Sequence, residues 1–314
     1  MQAGAKLKAA RWSIATATGL ALLKLAAGLT TGSMAVLASA IDSLLDIVMS
    51  GVNFLAIRQA EQPADRDHPF GHGKYETLAT LIQAGFIFAS GGWIIYESIR
   101  RLLQGTELAM LGEGIGVLAV SAAASWFISR YLRRIARQTD SSALRADALH
   151  FSMDIWTNLA LVAGLVIVSF TGASWLDPVL SLLVGLYILV EALRLVRHGL
   201  RDVLDAELPS TTRQEITRLI EAHQADLIGY HNLRTRRAGS QKMMDFHLTV
   251  CKHLTVEEAH AIADHLEKRI EAEILGADVT IHVEPCQRAD CPGREHCNVE
   301  QARLGPDGKH RHEV

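Results

Sequence analysis

The chain has 314 residues, of which 49% are hydrophobic, and a positive mean hydropathy. Its formal net charge of −3 excludes the strongly basic footprint of a nucleic-acid binder. The apolar residues crowd into positions 12–197, whereas 198–314 read as an ordinary soluble polypeptide, so composition places a boundary near residue 200.

Six segments are long and apolar enough to cross a bilayer, which takes about 20 residues each. They run Trp12–Leu29, Ala35–Ile57, Leu78–Ile99, Leu111–Tyr131, Leu144–Phe170 and Leu176–Val196. Backbone groups in lipid must be satisfied within the segment, so all six are predicted as helices. Lys6, Lys8 and Arg11 before the first run give it the look of a signal peptide. Its length, Lys24 within it and the five apolar segments that follow argue for a retained span. Lys and Arg placement sets the orientation. Arg58, Arg66 and Lys74, then Arg130, Arg133, Arg134 and Arg137, then Arg194, Arg197 and Arg201 all flank one side, which puts both termini in the cytoplasm. Arg100 and Arg101 are the exception.

The soluble part reads helix–strand–strand–helix–strand. Ser210-Thr211-Thr212 is predicted to cap a helix ending near His223. Strands follow near Tyr230–Arg236 and Met243–Val250, the second alternating Met244, Phe246, Leu248 and Val250 against Asp245, His247 and Thr249. Thr255 is predicted to cap a helix to about Ile274, and 278–284 to form a third strand. The expected organisation is a six-span all-α membrane domain (1–200), a cytoplasmic α/β domain (201–285) and a Cys/His-containing tail (286–314). The four cysteines, Cys251, Cys286, Cys291 and Cys297, then lie in a reducing compartment as free thiols or metal ligands.

Asp42 and Asp46 stand four residues apart in the second span, and His150 and Asp154 repeat that spacing in the fifth, so each pair shares a helix face. Asn53, Asp147 and Asn158 extend the two polar stripes. A charge at the bilayer centre costs about 2.5–3.5 kcal/mol even on lenient insertion scales. Three carboxylates without nearby Lys or Arg in the same spans therefore call for a visiting counter-charge. Two or three carboxylates with an imidazole suit a transition metal better than Mg²⁺ or Ca²⁺, and four such ligands match tetrahedral Zn²⁺. When the metal leaves, the crowded carboxylates take up protons, which suggests metal–proton antiport. Lys24 reads as a side chain that snorkels or faces the bundle interior. Two other readings are an intramembrane metallohydrolase, which lacks an HExxH signature here, and a metal sensor that transports nothing.

Together with the run Asp65-Arg66-Asp67-His68-Pro69-Phe70-Gly71-His72-Gly73-Lys74, the six spans and paired motifs resemble the bacterial cation diffusion facilitators over roughly residues 8–286. The resemblance implies a homodimeric zinc/proton antiporter of the inner membrane that exports its cargo, with an αββαβ metallochaperone-like cytoplasmic domain. It implies that His at position 150 goes with zinc and cadmium over iron and manganese. It also implies a cytoplasm-facing metal site at Asp65, His68 and His72. A two-zinc site at the dimer interface would use His231, His247, His260, His282 and Glu284, where the family commonly has Asp at the last position.

Overall fold

A computed structural model describes residues 2–31, 34–104, 115–171, 175–223 and 228–287. It divides into two compact units, Met1–Val203 and Leu204–Val314. The first holds six long helices: α1 (Gln2–Thr31), α2 (Met34–Ala60), α3 (Lys74–Gln104), α4 (Ile115–Thr139), α5 (Ser142–Thr171) and α6 (Leu176–Val203). At about 1.5 Å per residue, even 25 residues exceed the roughly 30 Å of bilayer hydrocarbon. Among the described residues, Ala3–Thr30, Ser39–Ala60, Lys74–Gln104 and Pro178–Val203 are apolar enough to cross a membrane on composition alone. Helix α4 instead carries Arg130, Arg133, Arg134 and Arg137 in its second half, and α5 opens with Arg145 and Asp147.

Large apolar side chains such as Leu22, Val48, Trp93 and Leu183 are exposed, as lipid-facing positions require, while small residues fill the interior. Ala9, Ala10, Ala17, Ala79, Ala143 and Ala148 are buried around Ile57, Leu132, Leu144 and Phe151. Helices α3 and α6 meet at Gly91 and Gly185. A Cβ on Gly91 would stand 2.9 Å from Ile188 Cγ2 and 3.4 Å from the Gly185 carbonyl oxygen. Only glycine admits that approach. The α4–α5 turn passes through Asp140 at φ 50°, a left-handed conformation that Asp tolerates, and Ser141 N–H closes it onto the Ala136 carbonyl at 3.2 Å.

One buried ion network ties the helix ends together. Lys6 Nζ on α1 donates to Glu76 Oε1 on α3 at 2.9 Å and to Glu61, just past α2. Ser141 Oγ, at the α4–α5 turn, donates to the other Glu76 oxygen at 2.6 Å. Lys6 and Glu76 are 2% and 0% exposed, so neither charge can fall back on water.

The second unit runs α7 (Ser210–Glu221), β1 (Gly229–Ala238), β2 (Gln241–Val250), α8 (Val256–Glu273) and β3 (Ala277–Pro285). The sheet order is β1-β2-β3, with β1 antiparallel and β3 parallel to β2. Gly239, at φ 63°, makes the two-residue hairpin turn and lets both strands run to its edge, beyond the expected ends. Met244, Phe246, Leu248 and Val250 are buried against Ile216, Leu219 and Ile220 of α7 and Leu266 and Ile270 of α8. Thr255 caps α8 in a reciprocal pair with Glu258, as its sequence position suggests. Helix α7 departs from expectation. Pro209 occupies its cap position, where its restricted φ suits a helix start, and no side chain caps it.

Removing one partner of a buried ion pair strands the other charge at a cost of about 3–5 kcal/mol. Lys6→Ala is therefore expected to destabilise the first unit by that amount, measured as a lowered thermal unfolding midpoint of detergent-solubilised protein. The exposed neighbour Lys8→Ala serves as the control.

Candidate metal centres

Three groups of side chains among the described residues bring metal-ligating atoms within 4.8 Å of one another. The first joins α2 to α5. Asp46 Oδ1 lies 2.9 Å from His150 Nε2, and Asp154, one turn beyond His150 on α5, completes the set. All three are partly buried. Asp42 differs from expectation: it is exposed, one turn away on α2, and falls outside this group, so three ligands converge rather than four. A cation from another helix also stands nearby, outside the two spans that carry the carboxylates. Lys24 on α1 turns into the bundle interior, one of the two places expected for it, and donates to Ser43 Oγ at 2.8 Å, next to Asp42 in the chain.

Beside this centre lies a fully buried polar layer. Asn53 Nδ2 donates to Gln83 Oε1 at 2.6 Å, Gln83 Nε2 reaches Asp147 Oδ1 at 3.5 Å, and Ser13 Oγ donates to Ser50 Oγ at 3.0 Å. On the other side of α5, Ser129 Oγ donates to the Ala148 carbonyl at 2.9 Å, and Arg133 donates to Ser152. These bonds fix the rotation of α5 and thereby aim His150 and Asp154. Ser13, Gln83 and Ser129 escaped the sequence reading because each is a small or uncharged polar residue with no i,i+4 acidic or histidine partner to mark it. Their recurrence on faces turned toward α2 and α5 is the signal that could have found them.

The second group occupies the loop between α2 and α3. Asp65 Oδ1 accepts from the backbone N–H of Asp67 at 3.0 Å and of His68 at 2.7 Å, and lies 3.1 Å from His68 Nδ1. His72 Nε2 is 3.3 Å from the other carboxylate oxygen, and the two imidazole centroids are 4.5 Å apart. His72 is buried while its partners are exposed. Gly71, at φ 77°, turns the chain between the two histidines. The His68 backbone N–H, and after it the His68 ring, hold the Asp65 carboxyl below its ordinary value.

The third group lies on the sheet face turned away from α7 and α8. Register aligns His231, His247 and His282 across β1, β2 and β3. Their rings stand 5.0 and 4.9 Å apart between neighbours. Glu284, two residues from His282 and thus on the same face, lies 2.8 Å from His247 Nδ1 and 3.4 Å from His231 Nε2, and these three make the group; His282 Nε2, 3.7 Å from Glu284, stands beside it but outside the set whose ligand atoms all lie within 4.8 Å. Glu284 thus takes the place the resemblance usually gives to Asp. His260 does not join them. It is exposed on α8, the helix that covers the opposite sheet face. A bulge at Asn232, at φ 55°, offsets β1 just beyond His231. Cys251 and Cys286 are free thiols; Cys291, His296, Cys297, His310 and His312 lie outside the described residues.

Residues 10–204 match the family described as the cation efflux transmembrane domain, and residues 208–286 match the cation efflux protein cytoplasmic domain. The chain belongs to the cation efflux family. This cation efflux protein is thus a membrane transporter of the bacterial cation diffusion facilitator type rather than an enzyme, which sets aside the metallohydrolase reading. Among its relatives are the cation-efflux pumps FieF of Salmonella paratyphi A and Salmonella agona (strain SL483). Each is 37% identical over 293 residues, covering 92% of this chain and 95% of the relative. A solved structure of CzrB in its Zn form is 39% identical and covers 25% of this chain and 90% of that chain, with a TM-score of 0.24. The metal-bound C-terminal domain of the CzcD transporter from Thermotoga maritima is 24% identical and covers 26% and 100%, with a TM-score of 0.24.

In this cation efflux protein the loop group has a testable pH signature. A carboxyl held low contributes order that is complete above its unfolded value and is lost only as pH falls through the lower folded value. The side-chain carboxyl carbon resonance of Asp65 in metal-free protein is thus expected to titrate below the ordinary aspartate value of about 3.9. Asp65→Asn should remove that low-pH transition.

Proposed function

We propose that the chain exports a divalent transition metal from the cytoplasm in exchange for protons, with zinc as cargo ahead of cadmium, iron and manganese. The observation that carries this reading is the approach of Asp46 to His150 at 2.9 Å, with Asp154 in the same group, between two helices of a membrane domain. A mixed carboxylate and imidazole set suits zinc and disfavours the all-oxygen shells of calcium and magnesium. Asp42, one turn from Asp46, is the fourth ligand and joins when a dication draws its carboxylate inward. Departure of the metal leaves like charges crowded at low dielectric, and protons from the opposite side relieve them. The membership of residues 10–204 and 208–286 in cation efflux families, and the name cation-efflux pump borne by relatives at 37% identity, support transport over passive sensing.

The basic flanks support a reading with both termini in the cytoplasm of an inner-membrane protein, organised as a transport domain (1–200), a metal-binding domain (201–285) and a tail (286–314). The cytoplasmic domain acts as a homodimer. The sheet-face group of His231, His247, His282 and Glu284 binds metal there and favours one arrangement of the helices, which requires unequal metal affinity in the two states. The loop group at Asp65, His68 and His72 is a further zinc site.

The test is zinc accumulation in proteoliposomes. Asp154→Ala is expected to lose more than the roughly 10–100-fold that outer partners of a metal site are worth, with secondary structure unchanged by circular dichroism. Wild-type uptake should stop when the pH gradient is dissipated. Zinc flux indifferent to the gradient would rule out antiport, and binding without accumulation would leave a sensor.

A further inference from the structure

Lys24 is a charged feature of the central region that metal ligation does not use. It sits in the last third of α1, within a segment apolar enough to span a bilayer. An ammonium there is expensive unless something nearby compensates it. Its side chain is only partly buried, yet it points inward: Nζ donates to Ser43 Oγ at 2.8 Å. Ser43 is itself 1% exposed and directly follows Asp42. Lys24 thus stands beside the stretch of α2 that carries Asp42 and Asp46, the second of which meets His150 of α5 at 2.9 Å. The nearby Arg133 is engaged elsewhere, on Ser152.

The formal charges then balance in a particular way. Asp42, Asp46 and Asp154 carry three negative charges, and neutral His150 adds none. One dication leaves the group with a single uncancelled negative charge, and the Lys24 ammonium cancels it. A loaded site without Lys24 stays anionic, and an unloaded one is more anionic still. Both hold a dication more strongly than a transporter that must release its cargo can use. Hydrogen bonding to Ser43, rather than to a carboxylate, keeps Lys24 within electrostatic reach while leaving the ligand oxygens to the metal.

We propose that Lys24 is a positioning residue that serves as a resident counter-charge for the metal centre, limiting its affinity so that the dication is released. This rests on the reading of Asp46, His150 and Asp154 as the transport site. It separates cleanly from a structural role, because loss of packing or of a hydrogen bond weakens metal binding, whereas loss of a repelling charge tightens it.

The experiment measures zinc affinity by calorimetry on purified full-length protein at alkaline pH, together with zinc efflux rates from loaded proteoliposomes. The central site is identified as the binding class that disappears in Asp154→Ala. Lys24→Gln keeps a donor for Ser43 but removes the charge, and Lys24→Arg keeps the charge. Lys24→Gln is expected to bind zinc at that class about tenfold more tightly, as removal of a unit charge near a dication implies at intermediate dielectric, and to turn over more slowly. Lys24→Arg should rescue both. Unchanged or weaker zinc binding by Lys24→Gln overturns the counter-charge. If Asp154→Ala removes no binding class, the fault lies instead with the transport-site reading.

Discussion

A carboxylate enclosed by helices in lipid must find positive charge or hydrogen atoms, and the first unit is arranged around that demand. Asp46 and Asp154 meet across the space between α2 and α5 with one imidazole between them. Everything that aims them is itself polar and buried. Asn53, Gln83 and Asp147 form one layer, and Ser129 and Ser152 link α4 to α5 on another side. The abundant alanines let the helices come close enough for those short side chains to reach.

The three metal-ligating groups share a chemistry and differ in what holds them. In each, a carboxylate meets imidazole. In the membrane unit it comes from a different helix, so its approach depends on helix packing. In the loop, Asp65 is fixed by backbone N–H groups before any metal arrives, and its partner His72 is buried. On the sheet, strand register alone brings His231, His247 and His282 into line, with Glu284 between them. A cluster set by register is hard to deform; one set by helix packing can open and close as the helices move. That difference suits a central site that must change exposure and a peripheral one that must not.

Much of this arrangement could be read in the amino acids. Spacing of four put His150 and Asp154 on one helix face, and strand alternation separated His247 from Phe246 and Leu248. What escaped was whatever depended on a second element. No periodicity says that Lys6 lies under Glu76, 70 residues away, or that Gln83 completes a layer with Asp147. Asp42 has the spacing of a ligand, but it is exposed and stands outside the group. His260 fits a family pattern, but α8 shields the opposite side of the sheet. The Pro209 start of α7 was hidden because Ser210, Thr211 and Thr212 offered three side-chain caps that the backbone did not need.

The two faces of the three-stranded sheet have divided labour. One carries Met244, Phe246, Leu248 and Val250 and is sealed by α7 and α8; the other carries the imidazoles and Glu284 and contributes nothing to the apolar interior. The domain's shape therefore does not depend on an ion at this surface, unlike a zinc finger, which collapses without its ion. Evolution can retune the surface, exchanging Asp for Glu or dropping an imidazole, without touching the residues that make the domain fold.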